Sequence, residues 1–518
     1  MKKIKGIISV ILVLTLLAVT AAPASAAEVP ATKLPTVYVH GQGRPIFAKD
    51  ENGQEQQVYP FELDAEGLVK QLWDELGGPF WKGFFTGNWN SWCDKTIEII
   101  GPVLNPIALD ENGNASNGTY VHTHYAWNTK NAQGTYNFSS LDFNYDWRVD
   151  PCESADKLAQ FINEVIRVTD ASVTKVNLVG RCIGSNVVLA YLAKYGTEKI
   201  NNLILYCTSF TGMELVGRAF TGQIEPDGRA TARFIQNYLT DPEYADEEAY
   251  ALLVDLVDLL SNTGMLGIAL WFLKSVYGKV YENFVPRLLL ESFGTMPAFW
   301  SLVGDDYYED AKKFVFGSDP EKYAGMIEKL DNYHYNILDK TEEILTSVKD
   351  SGVNVYIAAK YGLQIVPLCE NNHQQSDYCL ELTSGSYGAT CTDMDETFSS
   401  KYHEEAKKNG TEKYISIDNQ IDASTCFLPD HTWFIKDCSH LLMSDIMDYL
   451  FAELLDSEEY MTVFDDPNYP QYLCYSKADD TLLPLTEENC DTLTEWKISP
   501  IKHFFNLIKG LFNMLKSL

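Results

Sequence analysis

Short apolar runs alternate along this chain with stretches of helical periodicity, and the alternation divides it into strands and helices. Thr36-Val37-Tyr38-Val39 reads as a strand ending in the glycine turn His40-Gly41-Gln42-Gly43. Asp50-Glu51-Asn52-Gly53 looks like a hairpin tip between Ile46-Phe47 and Val58-Tyr59. Residues 64–100 suit amphipathic helices rich in tryptophan, and turns near 110–113 and 117–118 precede a strand at 120–125. Leu158, Phe161, Ile162, Val165 and Ile166 fall at helical spacing and predict a helix over 154–168. That helix feeds an apolar strand, Val176-Asn177-Leu178-Val179, then the turn Gly180-Arg181-Cys182-Ile183-Gly184, then a small-residue helix through Leu192. Another apolar strand covers 202–207. Strand, helix, strand in this order is a βαβ unit and argues for a parallel sheet.

From 211 to 345 the alternation stops and helical periodicity dominates, with wide apolar faces over 252–260, 265–277 and 284–299. A block placed between middle and late strands suits a lid over a site, although a separate helical domain fits the same pattern. Its apolar richness fits a lipid-binding groove and plain core packing alike. The sheet resumes at 353–362, Asp377 follows a late strand, and His440 sits on a loop before an amphipathic helix over 441–455. The chain thus divides into an amino-terminal segment, 1–26, a core in two parts, 27–210 and 346–460, and a helical lid or cap, 211–345. A C-terminal extension, 461–499, and a final helix, 500–518, complete it.

The amino-terminal segment reads as an export signal: Lys2, Lys3 and Lys5 precede an apolar run from 7 to 19, and Ala24-Ser25-Ala26 offers a cleavage site. The run is shorter than the ~20 residues a membrane span needs. Removing the signal takes three lysines and moves the net charge from −32 to about −35. So acidic a chain is unsuited to nucleic acid or to electrostatic docking on anionic lipid. The final segment differs: Phe504, Phe505, Ile508, Leu511, Phe512, Met514 and Leu515 share one helical side, with Lys502, Lys509 and Lys516 elsewhere. It resembles an interfacial helix touching a membrane surface, and docking on the protein body or on a partner fits equally. With 11 cysteines in an exported chain, disulfides are expected, for example Cys474 with Cys490 or Cys426 with Cys438.

Candidate chemistry centres on residues 176–188. An apolar strand running into Gly-x-Cys-x-Gly and then a helix is the layout of a nucleophile elbow, with Cys182 where serine is usual. A helix N-terminus there favours a thiolate. Thiolate attack on a carbonyl needs a base, the base needs a carboxylate to fix its tautomer, and the oxyanion needs preset amides. His440 is the expected base, ahead of His431 and His403, and Asp377 the expected acid, ahead of Asp422, Asp393 and Asp395. Gln42 and Ile183 would supply the oxyanion amides from their backbones. The order Cys182, Asp377, His440 is that of α/β-hydrolases. The fold expected is therefore an α/β-hydrolase fold, a mostly parallel central sheet flanked by helices, with a large helical lid insertion. His122 and His124 share a strand face, yet no further ligand stands at metal spacing, so no metal site is expected.

Tyr145-Asp146-Trp147-Arg148, the elbow with Tyr191 on its helix, and Thr208-Ser209-Phe210-Thr211-Gly212 resemble the lecithin:cholesterol acyltransferase-like branch of α/β-hydrolases. The resemblance spans about 36–225 and 350–455. It implies hydrolysis or transfer of an acyl group from a lipid or other ester, through an acyl-enzyme and without metal or cofactor. The partner it implies is a small-molecule or lipid ester. Three departures stand out: Cys182 replaces serine, Arg181 replaces the preceding histidine, and Tyr378 replaces a glycine of the acid motif, aligned with Ser376-Asp377-Tyr378-Cys379-Leu380. A secreted binding or surface-interaction protein that kept the fold and lost turnover is the alternative.

Overall fold

The computed structural model of the chain describes residues 32–490 apart from 62–64, 124–140, 170–171, 226, 240–277, 279, 283, 441, 443–444 and 477–478. The expected export signal, the final helix, the centre of the lid and His124 lie outside the described residues.

Eight strands make one sheet: β1 (Thr36–Val39), β2 (Leu141–Asp142), β3 (Val176–Arg181), β4 (Ile200–Tyr206), β5 (Asn354–Tyr361), β6 (Thr432–Lys436), β7 (Tyr472–Ser476) and β8 (Thr481–Pro484). Their order across the sheet is β8-β7-β6-β5-β4-β3-β1-β2, and every neighbouring pair is parallel except β7 with β8. The chain runs outward from β1 to β2, then returns to β3 and winds the other way. That reversal puts a switch point between β1 and β3, where open α/β sheets hold their ligands beyond the carboxyl ends of the strands.

Apolar side chains alternate between two buried faces, as a parallel sheet covered on both sides requires. Val37, Leu178, Leu205 and Ile357 pack with Leu158 and Ile162 of α1 (Pro151–Val168), Val188 of α2 (Ile183–Tyr195) and Leu345 of α3 (Thr341–Asp350). Tyr38, Val179, Ile204, Tyr356 and Ile435 pack on the other side with Leu450, Phe451 and Leu454 of α4 (Asp448–Asp456). Helix α1 starts cleanly because Asp150 accepts the Cys152 amide and Pro151 takes the first turn. This is the α/β-hydrolase architecture expected from the pattern.

Three details differ from expectation. The segment 461–499 contributes β7 and β8 to the sheet. The last α-helix begins at Asp448, several residues later than expected, after a 3₁₀ turn over Asp445–Met447, and the Lys360 ammonium takes the carbonyls of Ser439 and Leu442, each at 2.7 Å. All eleven cysteines are free thiols, so the expected disulfides do not form. Cys426 instead reaches Thr432 Oγ1 at 3.7 Å, Cys490 reaches the Glu487 carbonyl at 3.4 Å, and Cys474 lies 3.8 Å from the Tyr475 carbonyl. The expected hairpin is present, as strands Ile46–Lys49 and Glu55–Tyr59 joined by Tyr120–Val121 in a small antiparallel sheet.

Candidate active site

Strand β3 ends at Arg181 and α2 begins at Ile183, so Cys182 alone turns the chain, with φ 53° and ψ −132°. A residue with a Cβ is strained there, and only close packing on all sides holds it. Two glycines make the packing close enough. A Cβ on Gly184 would stand 2.0 Å from the Val39 carbonyl oxygen, and one on Gly41 would stand 2.9 Å from Cys182 Cβ. The exit of β1, the elbow and the start of α2 therefore touch at the switch point.

Against this half-buried sulfur stands His440, whose Nε2 is 3.1 Å from Cys182 Sγ. On its other side, Nδ1 is 2.7 Å from Asp377 Oδ2. The remaining Asp377 oxygen accepts the amides of Cys379 at 3.1 Å and Leu380 at 2.8 Å, and the Asp377 carbonyl accepts the His440 amide at 2.8 Å. Both side chain and backbone thus fix His440 to one loop. Burial works against charge on the ring, but the Asp377 carboxylate and the Cys182 sulfur outweigh it and push the imidazole up to about 10. Burial likewise opposes the Asp377 charge, and His440, with Lys360 behind it, still holds that carboxyl below its usual range. The ring is thus held protonated beside the Asp377 carboxylate, with the Cys182 sulfur on its other side.

The two segments expected to supply the oxyanion amides meet at the elbow. Ile183 opens α2, where an N–H has no partner within the helix. Gln42 follows Gly41, whose missing Cβ would stand 3.0 Å from the Ile183 nitrogen. Neither amide donates to another group among the described residues.

The Tyr-Asp-Trp-Arg run braces this loop. Tyr145 donates its hydroxyl to the His40 carbonyl at 2.7 Å, and Trp147 donates its indole N–H to the Arg44 carbonyl at 3.0 Å. Arg44 and His40 meet on Asp142, at 2.6 Å and 2.8 Å. The fully buried Arg148 forks onto Asp146 at 2.9 Å and 2.7 Å and reaches Thr119 Oγ1 at 2.9 Å.

Two supports escaped the sequence reading. Lys360, buried in β5, holds the carbonyls on either side of His440. A lone lysine in an apolar strand was the available signal, since lysine is almost never buried unpaired. Arg181 pairs with Asp448 at the start of α4, its guanidinium 4.8 Å from the Tyr38 ring, and so ties the elbow to the helix beyond the His440 loop. The other candidates are occupied elsewhere. His431 binds the Met461 carbonyl at 2.8 Å and stacks on Tyr460; Asp422 caps Ser424 and accepts the Tyr402 hydroxyl. Asp395 pairs with Arg229 at 2.5 Å, and Asp393 and His403 take no place beside Cys182. His122 pairs with Glu55 at 3.1 Å. Cys207 brings a second thiol within 4.8 Å of ligand atoms of Asp377 and His440. The buried Lys360 ammonium beside that trio already supplies its positive charge and opposes a metal cation there.

No protein-family model matches the chain, and no curated protein matches it. Among solved structures it is similar to a chain in the crystal structure of the Tle4-Tli4 complex, at 11% identity and a TM-score of 0.26, over 64% of this chain and 75% of that one. The strand order carries the fold, and that distant likeness adds nothing to it.

Proposed function

We propose that the chain is a cysteine-nucleophile ester hydrolase or acyltransferase, akin to the lecithin:cholesterol acyltransferase-like branch, working on a lipid or other acyl ester. One observation carries this reading: sulfur, imidazole and carboxylate stand in line, at 3.1 Å and 2.7 Å, on a strained elbow at the sheet's switch point. In the reaction, the Cys182 thiolate attacks the ester carbonyl carbon, and the C=O electron pair moves onto oxygen. The amides of Gln42 and Ile183 hold that oxyanion. Collapse of the intermediate breaks the ester C–O bond, and His440 gives its Nε2 proton to the departing alkoxide. A thioester on Cys182 and a neutral imidazole result. His440 then takes a proton from water, or from an acceptor hydroxyl, whose oxygen attacks the thioester. The thiolate leaves and the imidazolium is restored. Asp377 keeps the tautomer throughout.

The test uses short-chain nitrophenyl esters, with mass spectrometry of acid-quenched protein. Turnover and an acyl group on Cys182 are expected, and both vanish in Cys182→Ala. A chain that hydrolyses none of a broad ester panel and never carries acyl on Cys182 is a binding protein instead. We infer export as well, from the apolar run and the Ala24-Ser25-Ala26 site; recovery of the chain only inside the producing cells, with its amino terminus intact, would exclude it.

A further inference from the structure

Away from the triad, a second buried histidine faces two carboxylates. His334 opens a π-helical turn, His334–Leu338, just before α3, and is only 2% exposed. Its Nε2 stands 3.5 Å from Asp305 Oδ1 and 3.6 Å from Asp339 Oδ1. Neither ring nitrogen has a hydrogen-bond partner among the described residues. An unsatisfied buried polar group costs about 1–3 kcal/mol. A shift of less than 1 Å would satisfy this one, yet the ring is held where it is. It lies flat on Tyr308, ring centres 3.6 Å apart and planes 4° apart, and Tyr335 meets it edge-on at 5.0 Å.

The spacing is too long for a good hydrogen bond and close to the span between two ligands of one metal ion. Zinc bonds of ~2.0–2.1 Å in a tetrahedron set neighbouring ligand atoms about 3.3–3.4 Å apart. One ligand atom from each of Asp305, His334 and Asp339 lies within 4.8 Å of the others. We propose that these three residues bind one divalent cation of the zinc class, with the remaining coordination open to water. One imidazole and two carboxylates form an ordinary donor set for such an ion. Asp305 is 85% exposed in its side chain and Asp339 33%, which leaves the ion a way in from solvent. The neighbouring cation, Lys312, is already offset by Glu309 at 2.8 Å and Asp331 at 2.6 Å. Asp305 also suits the positive end of the helix Asp305–Phe316 that it opens, but that role does not explain an unpartnered buried imidazole facing it. π-Helical turns recur at functional sites.

The ion would be structural. Asp305 begins a helix of the cap, and the preceding Gly304 packs on Thr211 and Gly212, just beyond β4. Asp339 leads into α3, which lies against the sheet. Coordination would clip the cap to the core and neutralise two acids that otherwise repel. The proposal is independent of the reading of Cys182.

Zinc provides the test, on the full chain carrying Cys182→Ala so that the triad thiol does not compete. After chelation and dialysis, zinc binding is followed by titration calorimetry and by the melting temperature. One equivalent should bind and raise the melting temperature, as a ligand of the native state does. Asp339→Asn and the exposed Asp305→Asn should each weaken binding at least tenfold, and His334→Phe, which keeps the stack on Tyr308, should abolish it. Zinc affinity and zinc-induced stabilisation that survive both asparagine variants, or no zinc bound by the parent, would overturn the proposal.

Discussion

Two buried histidines in this molecule look toward carboxylates, and they are built in opposite ways. Each polar atom of the His440 ring has a partner within 3.1 Å, and its backbone amide is tied to the same aspartate. Neither nitrogen of His334 has one among the described residues, although two carboxylate oxygens stand within 3.6 Å. Charge follows geometry. Burial alone would lower both rings, and at His440 the close anions reverse it, whereas at His334 burial prevails over Asp339 and Asp305. A saturated histidine is held to move a proton between fixed neighbours. One held short of its neighbours marks room for a further body between them.

The widest separation between the two should come from turnover. Removing the base with His440→Ala is expected to lower kcat/KM for a nitrophenyl ester on the order of 10⁴-fold, the scale seen when one member of a catalytic unit is lost. Asp377→Asn keeps the shape and removes the charge that fixes the tautomer, and should cost about 10²–10⁴-fold. If Asp377→Asn cost less than tenfold, the short bond to His440 would have no catalytic meaning, and the contrast would reduce to packing.

Much of the first histidine's surroundings could be read before any coordinates. The elbow is local: apolar β3, two glycines and a small-residue helix lie within seventeen positions of one another, and the pattern leaves few other folds. His440 was legible for the same reason, on a loop between an apolar strand and a helix. What could not be read depends on residues far apart. Arg181 meets Asp448, and Lys360 meets Ser439, without any shared local pattern. Asp305 and His334 are likewise too widely spaced for a motif. Amphipathic spacing runs unbroken over 441–455 and carries no sign of the Lys360 contacts with the Ser439 and Leu442 carbonyls, so it predicts a helix start earlier than the observed Asp448. Cysteine count misled because it carries no geometry. Tyr378 adopts φ 85°, a left-handed conformation that favours glycine, and its side chain gives no local sign of it.

Lys360 sharpens the comparison at a smaller scale. It anchors His440 without touching the sulfur, so Lys360→Met should leave the carbonyls of Ser439 and Leu442 without their donor. Unsatisfied buried groups predict a loss of about 1–3 kcal/mol in stability. Loosening of the base predicts a fall of roughly 10–10²-fold in kcat, with KM little changed, since positioning acts on the transition state. A KM effect alone would mean that Lys360 shapes the substrate site and leaves His440 untouched.

The smallest effect is in stability against pH, and it isolates the charge on one ring. His440 titrates near 6.5 in an unfolded chain. In the folded protein, Asp377 and the Cys182 sulfur overcome burial and push it up to about 10. A folded value above the unfolded one means the native state holds its proton more tightly. The contribution is therefore complete below about 6.5 and is lost as pH rises through about 10. Other groups also titrate over this span, Glu381 among them, which burial pushes up to about 8. Comparing the chain with His440→Ala at each pH cancels most of their effect, because they are common to both proteins. The gap in melting temperature between the two should be widest at about pH 6.5 and below, and narrow by a few degrees toward pH 10. A gap that stayed constant from pH 7 to pH 10 would show that His440 contributes shape without charge, and the imidazolium held by Asp377 would have to be abandoned.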